Sequence, residues 1–142
     1  MTKFLFSSIL IAGLFAVAAC HKHEDDGTDY DYHAHIHSPN TDAKHVGDTL
    51  QIEVEFESHT GETVHNVEIK IYNKADGTVV YTKPDEAHVH ETSGLYEFND
   101  TFILSNANGI DAHTDWVLQA RVWGHEGTEG EVIETVEFHV HP

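Results

Sequence analysis

From about Tyr30 to the last residue, apolar and polar side chains alternate with a period of two. Leu50, Ile52, Val54 and Phe56 interleave with Gln51, Glu53, Glu55 and Glu57, and Val67, Ile69 and Ile71 with Glu68, Lys70 and Tyr72. Successive side chains on a strand leave opposite faces, so each segment is predicted to be a strand with one buried and one wet face. Tyr96, Phe98, Phe102 and Leu104 share a phase, as do Trp116, Leu118, Ala120 and Val122, and again Val132, Val136, Phe138 and Val140. Tyr32, Ala34 and Ile36 open the series, and Asp76-Gly77 marks a hairpin leading into Thr78–Thr82. No segment carries a helical period. Seven strands separated by turn-rich gaps predict a single all-β sandwich over residues 31–142. Tyr72, Tyr81 and Trp123 fall on the outward phase and are candidate contact residues.

The first thirty residues break this pattern. Lys3 gives a short positive start, Phe4 to Val17 is almost wholly apolar, and Val17-Ala18-Ala19-Cys20 follows. The run is too short for a spanning helix and ends in small residues, so residues 1–19 are predicted to be a signal peptide. The closing tetrad resembles the lipobox of bacterial lipoproteins. That resemblance implies lipidation of Cys20 as the mature N-terminus and anchoring in a membrane, expected to be the outer membrane of a cell envelope. Residues 20–30 then form a polar, acidic tether, which resembles the surface-export signal of Bacteroidetes lipoproteins.

Cys20 is the only cysteine and Met1 the only methionine, so the processed domain has neither a disulfide nor a soft sulfur ligand. The processed chain keeps 6 basic against 25 acidic residues, a formal charge of −19. Such a field excludes nucleic acid as a partner, because phosphate binding needs a basic surface, and it favours cations.

"IHSPNTDAKHVGDTLQIEVEF", with Ser38-Pro39 ending one strand and Gly47-Asp48 launching the next, resembles the opening of bacterial immunoglobulin-like domains. The resemblance implies an immunoglobulin-like β-sandwich of poorly characterised function. "GLYEFNDTFIL" and "DWVLQARVWG" are similar to the later strands of YtkA-like and CopC-like periplasmic sandwiches, several of which handle copper. CopC-like proteins use a free N-terminal histidine as ligand, whereas Cys20 holds that end here, so no residue role carries over.

All 14 histidines lie beyond the signal segment. Random placement gives about 1.4 His-x-His pairs. The chain has five, at 21/23, 33/35, 35/37, 88/90 and 139/141, and no adjacent His-His pair. On a strand, residues i and i+2 share a face with Cα atoms about 6.5–7 Å apart, which lets two imidazoles reach one ion at about 2.0–2.1 Å each. The alternation turns His33, His35, His37, His88, His90, His139 and His141 outward, and these are the candidate metal ligands. Pairing of the first strand with the last would merge His33, His35 and His37 with His139 and His141 in one panel, leaving His88 and His90 as a second site. His65 and His113 are optional donors. Imidazole without sulfur points to zinc first and copper(II) second, in a buffer, scavenger or delivery protein. No nucleophile motif, phosphate loop or paired carboxylate suggests an enzyme. Two other readings stay open: a non-enzymatic cell-surface interaction or adhesion module, and a pH sensor whose histidines would move the charge from −19 toward −5 on full protonation.

Overall fold

The computed structural model describes residues 30–61 and 63–142. The expected signal peptide, Cys20 and the expected tether through residue 29 lie outside the described residues. Nine strands follow in chain order: β1 (Tyr32–Ser38), β2 (Lys44–His45), β3 (Thr49–Ser58), β4 (Val64–Asn73), β5 (Val79–Lys83), β6 (His88–Glu91), β7 (Leu95–Ile103), β8 (Thr114–Trp123) and β9 (Val132–His141). They form two sheets, one ordered β1-β3-β7 and one ordered β2-β9-β8-β4-β5 with β6 also paired to β4. The protein is an immunoglobulin-like β-sandwich. The seven expected strands are all present, and the two short additions, β2 and β6, each carry histidine.

Most of the buried side chains are those the alternation selects. Leu50, Ile52, Val54 and Phe56 of β3 face Val67, Ile69 and Ile71 of β4 and Trp116, Leu118, Ala120 and Val122 of β8 in one core cluster. Register keeps each row in phase: Phe56 stands between Ala34 and Tyr96, and Val54 between Ile36 and Phe98. Apolar burial at about 25 cal/mol per Å² makes this phase the dominant constraint on the fold, because a one-residue slip would expose the whole row.

One outward assignment fails. Tyr81 pairs with Ile71, and the register shift between Ile71 and Tyr72 turns it toward the core. Its ring meets Phe102 edge-on at 5.4 Å, and its hydroxyl donates to Asp100 Oδ2 at 2.7 Å. Asp100 lies opposite Ile52, in the inward phase of β7. It escapes full burial at the sheet edge, where the phenol of the other sheet satisfies it. Burial and this bond push the Tyr81 phenol up, while the same bond holds the Asp100 carboxyl below its ordinary value.

Candidate metal centre

Topology rules out the single panel. β1 pairs with β3, not with β9. The first strand therefore sits in the three-stranded sheet and the last strand in the other, so His33, His35 and His37 share no sheet face with His139 and His141. Instead, three groups bring ring nitrogens or carboxylate oxygens within 4.8 Å of one another: His65/His88/His90, His113/His139/His141 and Asp31/His33/His59.

The first group gathers at the end of the large sheet where β4 begins and β8 ends. His65 comes from β4, His88 and His90 from β6. Val64 pairs with Glu91 and Asn66 with His88, so β6 carries one residue more than β4 across this stretch, a bulge. His90 lies at that bulge with φ +51°. Bulges re-aim side chains, and a left-handed backbone at a residue with a Cβ is held only where its surroundings impose it. Here the result is convergence. The ring centres of His88 and His90 are 5.4 Å apart, and that of His65 lies 6.0 Å from the first and 5.2 Å from the second. Imidazoles bound to one tetrahedral ion at about 2.0–2.1 Å per nitrogen have ring centres about 5 Å apart.

Asn66 sits beneath this group as the one buried polar residue among those described. Its Nδ2 donates to the Gly124 carbonyl. A carbonyl can only accept, so the carboxamide orientation is fixed and Oδ1 must face His88 Nδ1, 3.3 Å away. His88 therefore carries its proton on Nδ1, which leaves Nε2 with a free lone pair. Metal-binding histidines are held in this way through their second nitrogen. Neighbouring Glu91 is turned aside: its carboxylate accepts the Ser93 N–H at 2.9 Å, a bond that lowers its pKa.

The second group lies at the other end of β8. His139 and His141 close β9, their ring centres 4.6 Å apart and tilted by 64°. His113 precedes β8 with φ +60°, and its ring centre is 6.5 Å from that of His141. His139 Nδ1 donates to Asp115 Oδ1 at 2.8 Å, which again leaves Nε2 to face outward. His45 of β2 pairs in register with His141 and brings a fourth ring centre within 5.7 Å. Lys74 engages Glu137 of β9 at 2.5 Å. The only non-glycine residues with positive φ among those described are His90 and His113, one in each group. β8 spans ten residues, about 30 Å at about 3.3 Å rise per residue, so the two groups cannot share an ion.

The third group differs in geometry. The His33 and His59 rings stack at 4.0 Å with 20° between planes. Parallel stacked rings send their lone pairs out side by side. His35 and His37 join no group of three: His33 and His35 are 6.1 Å apart at 16°, and His35 and His37 are 6.5 Å apart at 32°. On a regular strand, i and i+2 side chains leave in parallel. Spacing two alone forms a column, and convergence needs a bulge, a strand end or a loop. His35 and His59 instead approach Glu57, at 3.8 and 3.2 Å.

Of the expected ligands, His88, His90, His139 and His141 are thus each placed in a converging group, His33 in a stacked one, and His35 and His37 in none. The optional donors His65 and His113 complete the two convergent groups. His45, His59 and His125, along with Asn66 and Asp115, lack pair spacing. Their only sequence signal is position at strand ends next to turn residues, as in Trp123-Gly124-His125.

No protein-family model matches the sequence, and no curated protein matches it. Among solved structures, the crystal structure of the CARDB domain of a Pyrococcus furiosus protein, in complex with di-metal ions, is similar at a TM-score of 0.50 and 16% identity, covering 79% of this chain and 94% of that one. The solution NMR structure of the same domain gives a TM-score of 0.50 at 16% identity over 79% and 95% of the two chains. At such identity the likeness is one of fold: this chain is an immunoglobulin-like sandwich similar to the CARDB domain.

Proposed function

We propose that this protein binds divalent transition metal at two separate histidine sites, one at each end of β8, as a non-enzymatic buffer, scavenger or delivery protein of the cell envelope. The observation that carries the reading is convergence: in each of two groups, three imidazoles from different parts of the chain bring ring nitrogens within 4.8 Å of one another. In each, one histidine is oriented through Nδ1 by a neighbouring side chain. The complex of the structurally similar CARDB domain with di-metal ions is in keeping with this reading. Nitrogen-only ligand sets favour zinc, with copper(II) second. The envelope location and lipid anchor rest on the Val17–Cys20 tetrad.

Calorimetric titration of the domain with zinc tests the proposal. Two strong events are expected, each lost separately in His65→Ala/His88→Ala and in His139→Ala/His141→Ala. Both should weaken below about pH 6, where protons compete for imidazole. Absence of saturable binding, or binding that survives both double variants, overturns it.

A further inference from the structure

We infer that the His65/His88/His90 site has a fourth protein ligand, His125, and is a closed all-imidazole tetrahedral site of zinc type that fastens the loop between β8 and β9. The inference rests on the metal-binding reading and gives one of its sites a coordination number and an ion class.

His125 lies two residues beyond the end of β8 and is exposed. Its ring centre lies 5.1 Å from that of His65 and 6.0 Å from that of His88. With the three distances already given, five of the six pairings in a set of four rings fall between 5.1 and 6.0 Å. That is near the spacing of about 5 Å that four nitrogens around one tetrahedral ion impose. The nitrogens already within mutual 4.8 Å reach belong to His65, His88 and His90, so binding asks of His125 a side-chain rotation and no movement of the sheet.

The loop is built to hold His125 there. Asn66 clasps the Gly124 carbonyl with its amide while facing His88 with its oxygen, so one buried side chain sets both a ligand and the residue before a ligand. Gly124 donates its own N–H to the Glu129 carbonyl at 2.7 Å, which closes the loop on itself. Tyr30 packs so tightly over the loop that a Cβ at Gly124 would meet its ring at 2.7 Å, and one at Gly130 would meet its Cβ at 2.5 Å. The same ring approaches His65 edge-on at 6.0 Å. A loop serving only as a connection has no need of a buried carboxamide tie to the neighbouring histidine.

The chemistry then selects the ion. Four neutral imidazoles around one point suit zinc and cobalt(II), which accept tetrahedral geometry, whereas copper(II) favours a tetragonal plane. A site with no open position leaves no coordination place for a substrate, unlike a catalytic zinc site.

Cobalt(II) is the probe, because its visible absorption is intense in tetrahedral sites and weak at higher coordination. The full chain carrying His113→Gln, His139→Gln and His141→Gln, which silences the other end of β8, is titrated with cobalt(II) alone. An intense tetrahedral band saturating at one equivalent is expected. Addition of His125→Gln should shift and weaken the intense band as water takes the fourth position, while one ion still binds, and addition of His65→Gln and His88→Gln together should abolish binding. His125→Asn serves as a second loop variant, and circular dichroism of the metal-free chains verifies the fold. An intense band unchanged in both His125 variants removes the fourth ligand and leaves the metal site standing. Failure of the parent chain to bind cobalt(II) overturns the metal reading itself.

Discussion

Replacing Asn66 by alanine should lower both the stability of the sandwich and its affinity for metal, for separate physical reasons. The side chain is 8% exposed and makes two hydrogen bonds, one donated to Gly124 and one accepted from His88. Truncation leaves the Gly124 carbonyl short of its partner, a loss of about 1–3 kcal/mol. In a domain of this size about 2 kcal/mol lowers the melting temperature by roughly 8–12 °C. It also frees the tautomer and orientation of His88. Loss of such an outer partner typically weakens metal binding by about 10–100-fold, or about 1.4–2.7 kcal/mol. In a melt at fixed excess zinc, the gain in stability over the metal-free protein should shrink by that same amount, since a ligand stabilises as the logarithm of its concentration over Kd. The assay is thermal denaturation with and without zinc, paired with calorimetry. Asn66→Asp sharpens it: a carboxylate accepts the His88 proton but cannot donate to Gly124, so affinity should recover further than stability. A metal-free melting temperature that falls while zinc affinity stays within about twofold would refute the positioning role and reduce Asn66 to a structural tie.

Other outcomes follow from the same geometry. Tyr81→Phe removes the bond to Asp100 and should cost about 1 kcal/mol near neutral pH, the low end for a bond to a partly solvated carboxylate. Because the folded Asp100 carboxyl titrates below the ordinary value of 3.8, its contribution is present above that value and is lost as pH falls through the folded pKa. The gap between wild-type and Tyr81→Phe melting temperatures should therefore narrow in acid, and a gap constant down to pH 2 contradicts the assignment. Gly124→Ala drives a methyl group into the Tyr30 ring and should destabilise by about 1–3 kcal/mol while weakening zinc at the adjacent site only, as calorimetry would register. His33→Ala/His35→Ala should leave both strong binding events intact, because these rings form a parallel column; loss of either event would show that the column captures an ion after all.

The sandwich was legible because its core repeats at the period of the strand. Every buried residue of β3 and β8 but one can be read from alternation, the exception being Val117, buried on the outer face. The phase of Tyr81 was not legible, since the register shift beside Tyr72 depends on pairing with β4. The histidine sites were half visible. His88/His90 and His139/His141 announce themselves by spacing, but their partners His65 and His113 come from elsewhere in the chain. The same spacing at His33/His35 gives a column, because β1 pairs regularly with β3 from Tyr32 to Ile36, and the bulge at His37 leaves that ring 6.5 Å from His35, whereas His90 sits in a bulge with a left-handed backbone beside His88 and His65. Which strand the first one joins decided against the merged panel, and no local pattern encodes that choice.

Anomalous scattering at the zinc edge from crystals grown with zinc tests the central claim most directly. Two peaks are predicted, about 30 Å apart at the two ends of β8, one about 2.0–2.1 Å from nitrogens of His65, His88 and His90, the other at that distance from His113, His139 and His141. Peaks confined to the outer face of β1, or none at either end of β8, would contradict it.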